Sequence, residues 1–295
     1  MKQLLTVVLK WLRAGERAQV LALFCLVQAC CAWRKFNDLR VKTNAFGIDK
    51  RDAFFEIPRN TNSPLMQSYE KVKPEPEFKF PMDFYCQKND PRVCFMYDRK
   101  GNVAGVQISV LKSDVNHIKP EDYDYESIKE FTKTNFYNTP AYSSRVYFTN
   151  PEKLTEKGRQ NTEETAEGLW AYLDGKLVEI QRKEPTGPKM GDFDRQGCYP
   201  AMGQHYVYKY NKNSSCKDHY SFFPLYQQGG LVGYGVAAAA KSSKLKTDWY
   251  EIPNGEAMKV ILPNPPKCSS NNYSHITFHV FLVDSPWNIS CPSSS

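Results

Sequence analysis

From Met82 onward the apolar residues fall mostly at alternate positions, in short runs broken by glycine, asparagine and charged turns, a pattern that predicts β-strands. Three segments share one design, an apolar run, a turn containing glycine and a second apolar run: VCFMYDRKGNVAGVQISV, LWAYLDGKLVEIQ and SFFPLYQQGGLVGYGVA. In the second, Asp174-Gly175 suits a two-residue type I′ turn, whose central residues need positive φ. Gly101 and Gly230 are expected to serve the longer loops of the other two. Val146 to Phe148, Met258 to Leu262 and Ile276 to Val283 read as further strands; the last is apolar on both alternate sets, as a central strand buried on two sides would be. Short helices are expected from Pro151 to Gly158, behind an Asn150 cap, and from Tyr125 to Thr134, where Ile128 and Phe131 stand at helical spacing. No fixed repeat length joins these units, which argues against propellers and solenoids. The expected fold is all-β with minor α: an antiparallel β sandwich or barrel built from hairpins and stapled by disulfides.

The N-terminal pattern is different. Met1 to Ala32 carries Lys2, Lys10, Arg13 and Arg17, then the apolar run LALFCLV, then the small residues QACCA. This is the layout of a cleavable signal peptide, and its apolar run, interrupted by Gln28, falls short of the roughly 18–20 residues that span a bilayer. The expected organisation is a signal peptide at 1–32, an extended and charge-rich segment at 33–81 that wraps or tethers, and a β domain at 82–295. Loss of the leader leaves Cys86, Cys94, Cys198, Cys216, Cys268 and Cys291, an even set that an oxidising compartment would turn into disulfides. Short separations favour neighbour pairing: Cys86 with Cys94, Cys198 with Cys216, Cys268 with Cys291. Glycosylation sequons stand at Asn213, Asn272 and Asn288, each near a cysteine.

Charge narrows the partners. The formal net charge is +7, and the leader's four basic and one acidic residues account for +3 of it, leaving +4 on the mature chain. The remaining basic residues are interspersed with acidic ones, so no nucleic-acid footprint is expected. The tail ends in polar CPSSS, and no stable membrane insertion is expected. The protein is therefore read as secreted and extracellular.

Candidate chemistry concentrates between Gln204 and Tyr226. A strand over Gln204 to Tyr210 would place Tyr206, Tyr208 and Tyr210 on one face and His205, Val207 and Lys209 on the other. With Tyr220 and Tyr226 these tyrosines form the expected binding face, since a phenol offers an apolar body and a polar tip to a small molecule, a glycan or a protein partner. The alternative is a secreted enzyme acting on a small molecule, with His205 as acid, base or metal ligand. An extracellular structural component is a third reading, disfavoured by the absence of low complexity. No nucleophile elbow, zincin motif, P-loop, dinucleotide fingerprint or EF-hand loop occurs, and no cofactor or metal is expected. His275 and His279 share a strand face but stand about 13 Å apart along it, too far to chelate together; a metal site would need His205, His219 or a carboxylate from elsewhere to join one of them.

Overall fold

The computed structural model describes residues 35–43, 51–240, 249–266 and 275–292. The expected leader at 1–32, Cys268 and Asn272 lie outside these residues. Two antiparallel sheets form a sandwich-like half-barrel. In spatial order the first sheet holds β11 (Lys189–Met190), β12 (Phe193–Tyr199), β13 (Gly203–Tyr208), β14 (Ser221–Gln227), β15 (Gly230–Ala239), β16 (His275–Phe281), β1 (Arg40–Lys42) and β2 (Phe54–Glu56). The second holds β10 (Lys176–Glu179), β9 (Trp170–Leu173), β8 (Thr139–Tyr147), β6 (Val103–Leu111), β5 (Asp90–Asp98), β4 (Met82–Gln87) and β3 (Tyr69–Val72), with β7 (Thr132–Phe136) paired to β8. Among the described residues, no helix is long and apolar enough to cross a membrane.

The three expected hairpins form as β5–β6, β9–β10 and β14–β15. Asp174 and Gly175 take φ of 50° and 74°, as a type I′ turn requires. In the third hairpin the turn is Gln228-Gly229, with φ of 50° and 79°, whereas Gly230 already belongs to β15. The strand expected at Ile276 to Val283 is central, held between β15 and β1.

Three local expectations are corrected. Met258 to Leu262 is not a strand: besides the single turn α1 (Lys112–Val115), the chain forms helix α2 (Gly255–Ile261). Asn254 caps α2 by accepting from the Ala257 amide at 2.8 Å, and Ala257 and Ile261, four apart, are its buried residues. Pro151 to Gly158 is a chain of turns, because Asn150 Oδ1 and Thr155 Oγ1 accept from amides two residues on and satisfy the backbone locally. Tyr125 to Thr134 likewise turns around Asp124, and its end joins β7, where pairing with β8 outweighs helical spacing.

The segment at 33–81 contributes β1 and β2 to one sheet edge and β3 to the other. It then lays Phe78 and Phe80 over a small core on the far face of the second sheet, built on Phe84, Met96, Phe136 and Trp170. The main core lies between the sheets, where the Trp249 ring stands 5.6 Å from Phe95 and 6.4 Å from Phe278, and Phe148 stands 6.3 Å from Tyr234.

Cys86 and Cys94 are bonded, directly opposite one another on β4 and β5. The expected pairing of Cys198 with Cys216 and of Cys268 with Cys291 is overturned, since Cys198 is bonded to Cys291 across a sequence separation of 93. The chain after β16 folds back onto the β12–β13 hairpin, where the Ala201 amide donates to Ile289 O at 2.8 Å, so Cys291 arrives beside Cys198. Cys216 is also disulfide-bonded.

Candidate functional site

Strand alternation sorts the first sheet into two chemically distinct faces. Phe222, Tyr234 and Phe278 belong to the core that meets the second sheet. The alternate set, His205 and Val207 on β13, Phe223 on β14, Ala237 on β15, and His275, Thr277 and His279 on β16, faces the other way. There, with Met258 and Ile261 of α2, Tyr210 and His219, these residues line a cleft of about 110 Å³. Four of the chain's five histidines thus meet in one place.

Two glycines permit the approach. A Cβ on Gly197 would stand 1.8 Å from Val260 O, so only glycine lets β12 sit against α2. A Cβ on Gly235 would fall 2.2 Å from the Phe223 ring, so its absence lets that ring lie across β15 toward His279. His205, Phe223 and His279 consequently form a triangle, with Phe223 5.4 Å from each imidazole and the imidazole centroids 6.3 Å apart.

Both imidazoles are held through Nδ1. His205 Nδ1 lies 3.2 Å from Gly197 O; a carbonyl only accepts, so Nδ1 carries the proton and Nε2 the lone pair. His279 Nδ1 is hydrogen-bonded to Glu251 Oε2, while Glu251 Oε1 accepts from Lys42 Nζ at 2.5 Å. Glu251 reaches this position because its backbone pairs with Thr277 in both directions at 2.8 Å, extending the line of β1 along β16. Lys42, Glu251 and His279 are all buried.

Burial dominates the electrostatics. It pushes the His205 pKa down to about 3, with the nearby His279 adding to the effect, and the His219 pKa down to about 4, with His275 contributing. His275 is lowered by burial as well. His205, His219 and His275 are therefore neutral imidazoles in a mainly apolar cleft, and the Nε2 atoms of His205 and His219 are buried without a hydrogen-bond partner. Among the described residues no group of three or more His, Cys, Asp or Glu side chains is placed to hold one metal ion.

The tyrosines expected to form a binding face are core residues. Tyr206, Tyr208, Tyr220 and Tyr226 are buried, with hydroxyls donated to Pro185 O (3.3 Å), Asp174 Oδ2 (3.1 Å) and Gln181 O (2.8 Å) by Tyr206, Tyr208 and Tyr226, and shared with Ser144 Oγ by Tyr220. Tyr210 does line the cleft, because Lys209 at φ 46° ends the alternation before it. The opposite face of β13, carrying His205, is the one that reaches the cleft. Sequence reasoning missed Glu251 and Lys42, which lie 209 residues apart and meet only through β1–β16 pairing. The available signal was the three-way coincidence of His205, His275 and His279 on strand faces opposite Tyr206 and Phe278. The exposed positions of Asn213 and Asn288 suit their sequons.

No known family model matches the chain, and neither the curated proteins nor the solved structures contain a match to it.

The neutral histidines make stability depend on pH. A native pKa of about 3 for His205 lies below the ~6.5 of an unfolded histidine, so below pH ~6.5 the unfolded chain binds a proton that the native state refuses. Stability is complete above that pH and falls as acid is added, by about 1.4 kcal/mol per pH unit for such a group. Thermal melts between pH 7 and 5 should show a falling Tm, and His205→Gln should flatten the decline; a Tm unchanged across this interval would contradict the assignment of neutral imidazoles.

Proposed function

We propose that this is an exported, disulfide-stapled glycoprotein that captures a small, mainly apolar molecule bearing a hydrogen-bond donor in the histidine-lined cleft. The observation that carries this reading is the pair of unpartnered imidazole nitrogens, on His205 and His219, in a mainly apolar cleft of about 110 Å³. An apolar pocket with a few placed polar groups is the usual form of a small-molecule site. A buried acceptor left unpaired costs about 1–3 kcal/mol, which a ligand donor would recover on binding. An apolar cavity of about 150 Å³ holds benzene, so a cleft of about 110 Å³ is of a size to take one small ring. Bonded cysteines and the exposed sequon asparagines are compatible with export.

Phenol and toluene provide a matched test, because they share a shape and differ in one donor. Calorimetry should find phenol bound more tightly by about tenfold or more, consistent with the hydrogen-bond term above, and His219→Leu should narrow the gap. Equal affinities, or no binding of either compound at millimolar concentration, would sink the reading.

A further inference from the structure

We propose that His205 and His279 form a two-coordinate site for a monovalent copper ion, bound between their Nε2 atoms. Each ring is anchored as a metal-bound histidine normally is, with its other nitrogen hydrogen-bonded to a backbone carbonyl in one case and a carboxylate in the other. On each ring Nε2 is the nitrogen that this anchor does not engage, and on His205 it is buried and unpartnered. The spacing fits. Two imidazoles joined head-on through one ion need about 6.2 Å between ring centres, given metal–nitrogen bonds of about 2.0 Å; the observed separation is 6.3 Å. The planes cross at 88°, which rotation about a linear nitrogen–metal–nitrogen axis allows.

The surroundings select the ion. Zinc in proteins takes three or four protein ligands, and among the described residues no third His, Cys, Asp or Glu joins this pair. Calcium and magnesium need oxygen ligands, and among the described residues no carboxylate lines the cleft. Monovalent copper accepts two nitrogens in line, prefers soft surroundings, and here would sit in an apolar cleft that also contains the Met258 thioether. The single charge also suits a poorly solvated position, with Glu251 placed behind His279. The ion shares His205 with the small-molecule reading, but the two tests separate: the phenol comparison turns on His219, and the ion needs His279 as well as His205.

Cu(I), kept reduced with ascorbate in the absence of oxygen, should be titrated into the full-length protein in competition with bicinchoninate. One ion per chain is expected. His205→Gln or His279→Gln, whose amides preserve the donation to Gly197 O or Glu251, should weaken binding by more than the ~10–100-fold typical of lost outer-shell contacts. His117→Gln, at an exposed position away from the cleft, should change nothing. Undiminished Cu(I) affinity in both cleft variants would overturn the proposal. If either variant fails to fold, X-ray absorption of the Cu(I)-loaded wild-type protein decides: a first shell with a linear pair of nitrogens supports the site, and any shell without that pair refutes it.

Discussion

Lys42→Met should lower the unfolding free energy by about 3–5 kcal/mol, the usual consequence of stripping one partner from a buried ion pair. Lys42 and Glu251 have side chains only 3% and 0% exposed and meet at 2.5 Å, so no solvent is at hand to replace the ammonium. Methionine matches the lysine stem in length and leaves β1 pairing intact, so the loss reports on charge. The double variant Lys42→Met/Glu251→Gln should be more stable than the single one. It removes both charges together while the glutamine carbonyl still accepts from His279. Urea denaturation at pH 7 measures both. A single-variant loss below about 1 kcal/mol would mean that the pair is effectively solvated.

Removing the Cys198–Cys291 bridge as Cys198→Ala/Cys291→Ala should cost about 4–5 kcal/mol, against about 2.5 kcal/mol for Cys86→Ala/Cys94→Ala, if restriction of the unfolded chain governs. The first closes a sequence separation of 93 and the second one of 8. The longer bridge also has a local role. Cys198 follows Gly197, whose carbonyl fixes His205, at a β12 irregularity between Arg195 and Cys198. Its loss should therefore weaken Cu(I) retention as well as stability, while loss of the shorter bridge should leave the cleft unaffected. The reverse order of stabilities in denaturant would show that packing of the fully buried Cys86 and Cys94 outweighs chain entropy.

Local physics was legible in the amino-acid sequence wherever neighbouring residues suffice to decide it. Alternation marked the strands, Asp174-Gly175 marked its own turn, and the doubly apolar run at Ile276 to Val283 marked the central strand. Alternation also separated His205 from Tyr206, but it has no sign: it shows that two faces differ and not which one turns toward a second sheet. Only the packing of Trp249, Phe278 and Tyr234 against the second sheet made the tyrosine side core and left the histidine side to form a cleft. The same limit explains the cysteines, since short separation favours a bond only until the chain after β16 returns to β12 and brings Cys291 beside Cys198. Likewise, Lys42, Glu251 and His279 carry no shared pattern in sequence. They meet because β1 and the backbone at Glu251 both lie along β16, and because three polar groups buried in one place are stable only when they satisfy one another.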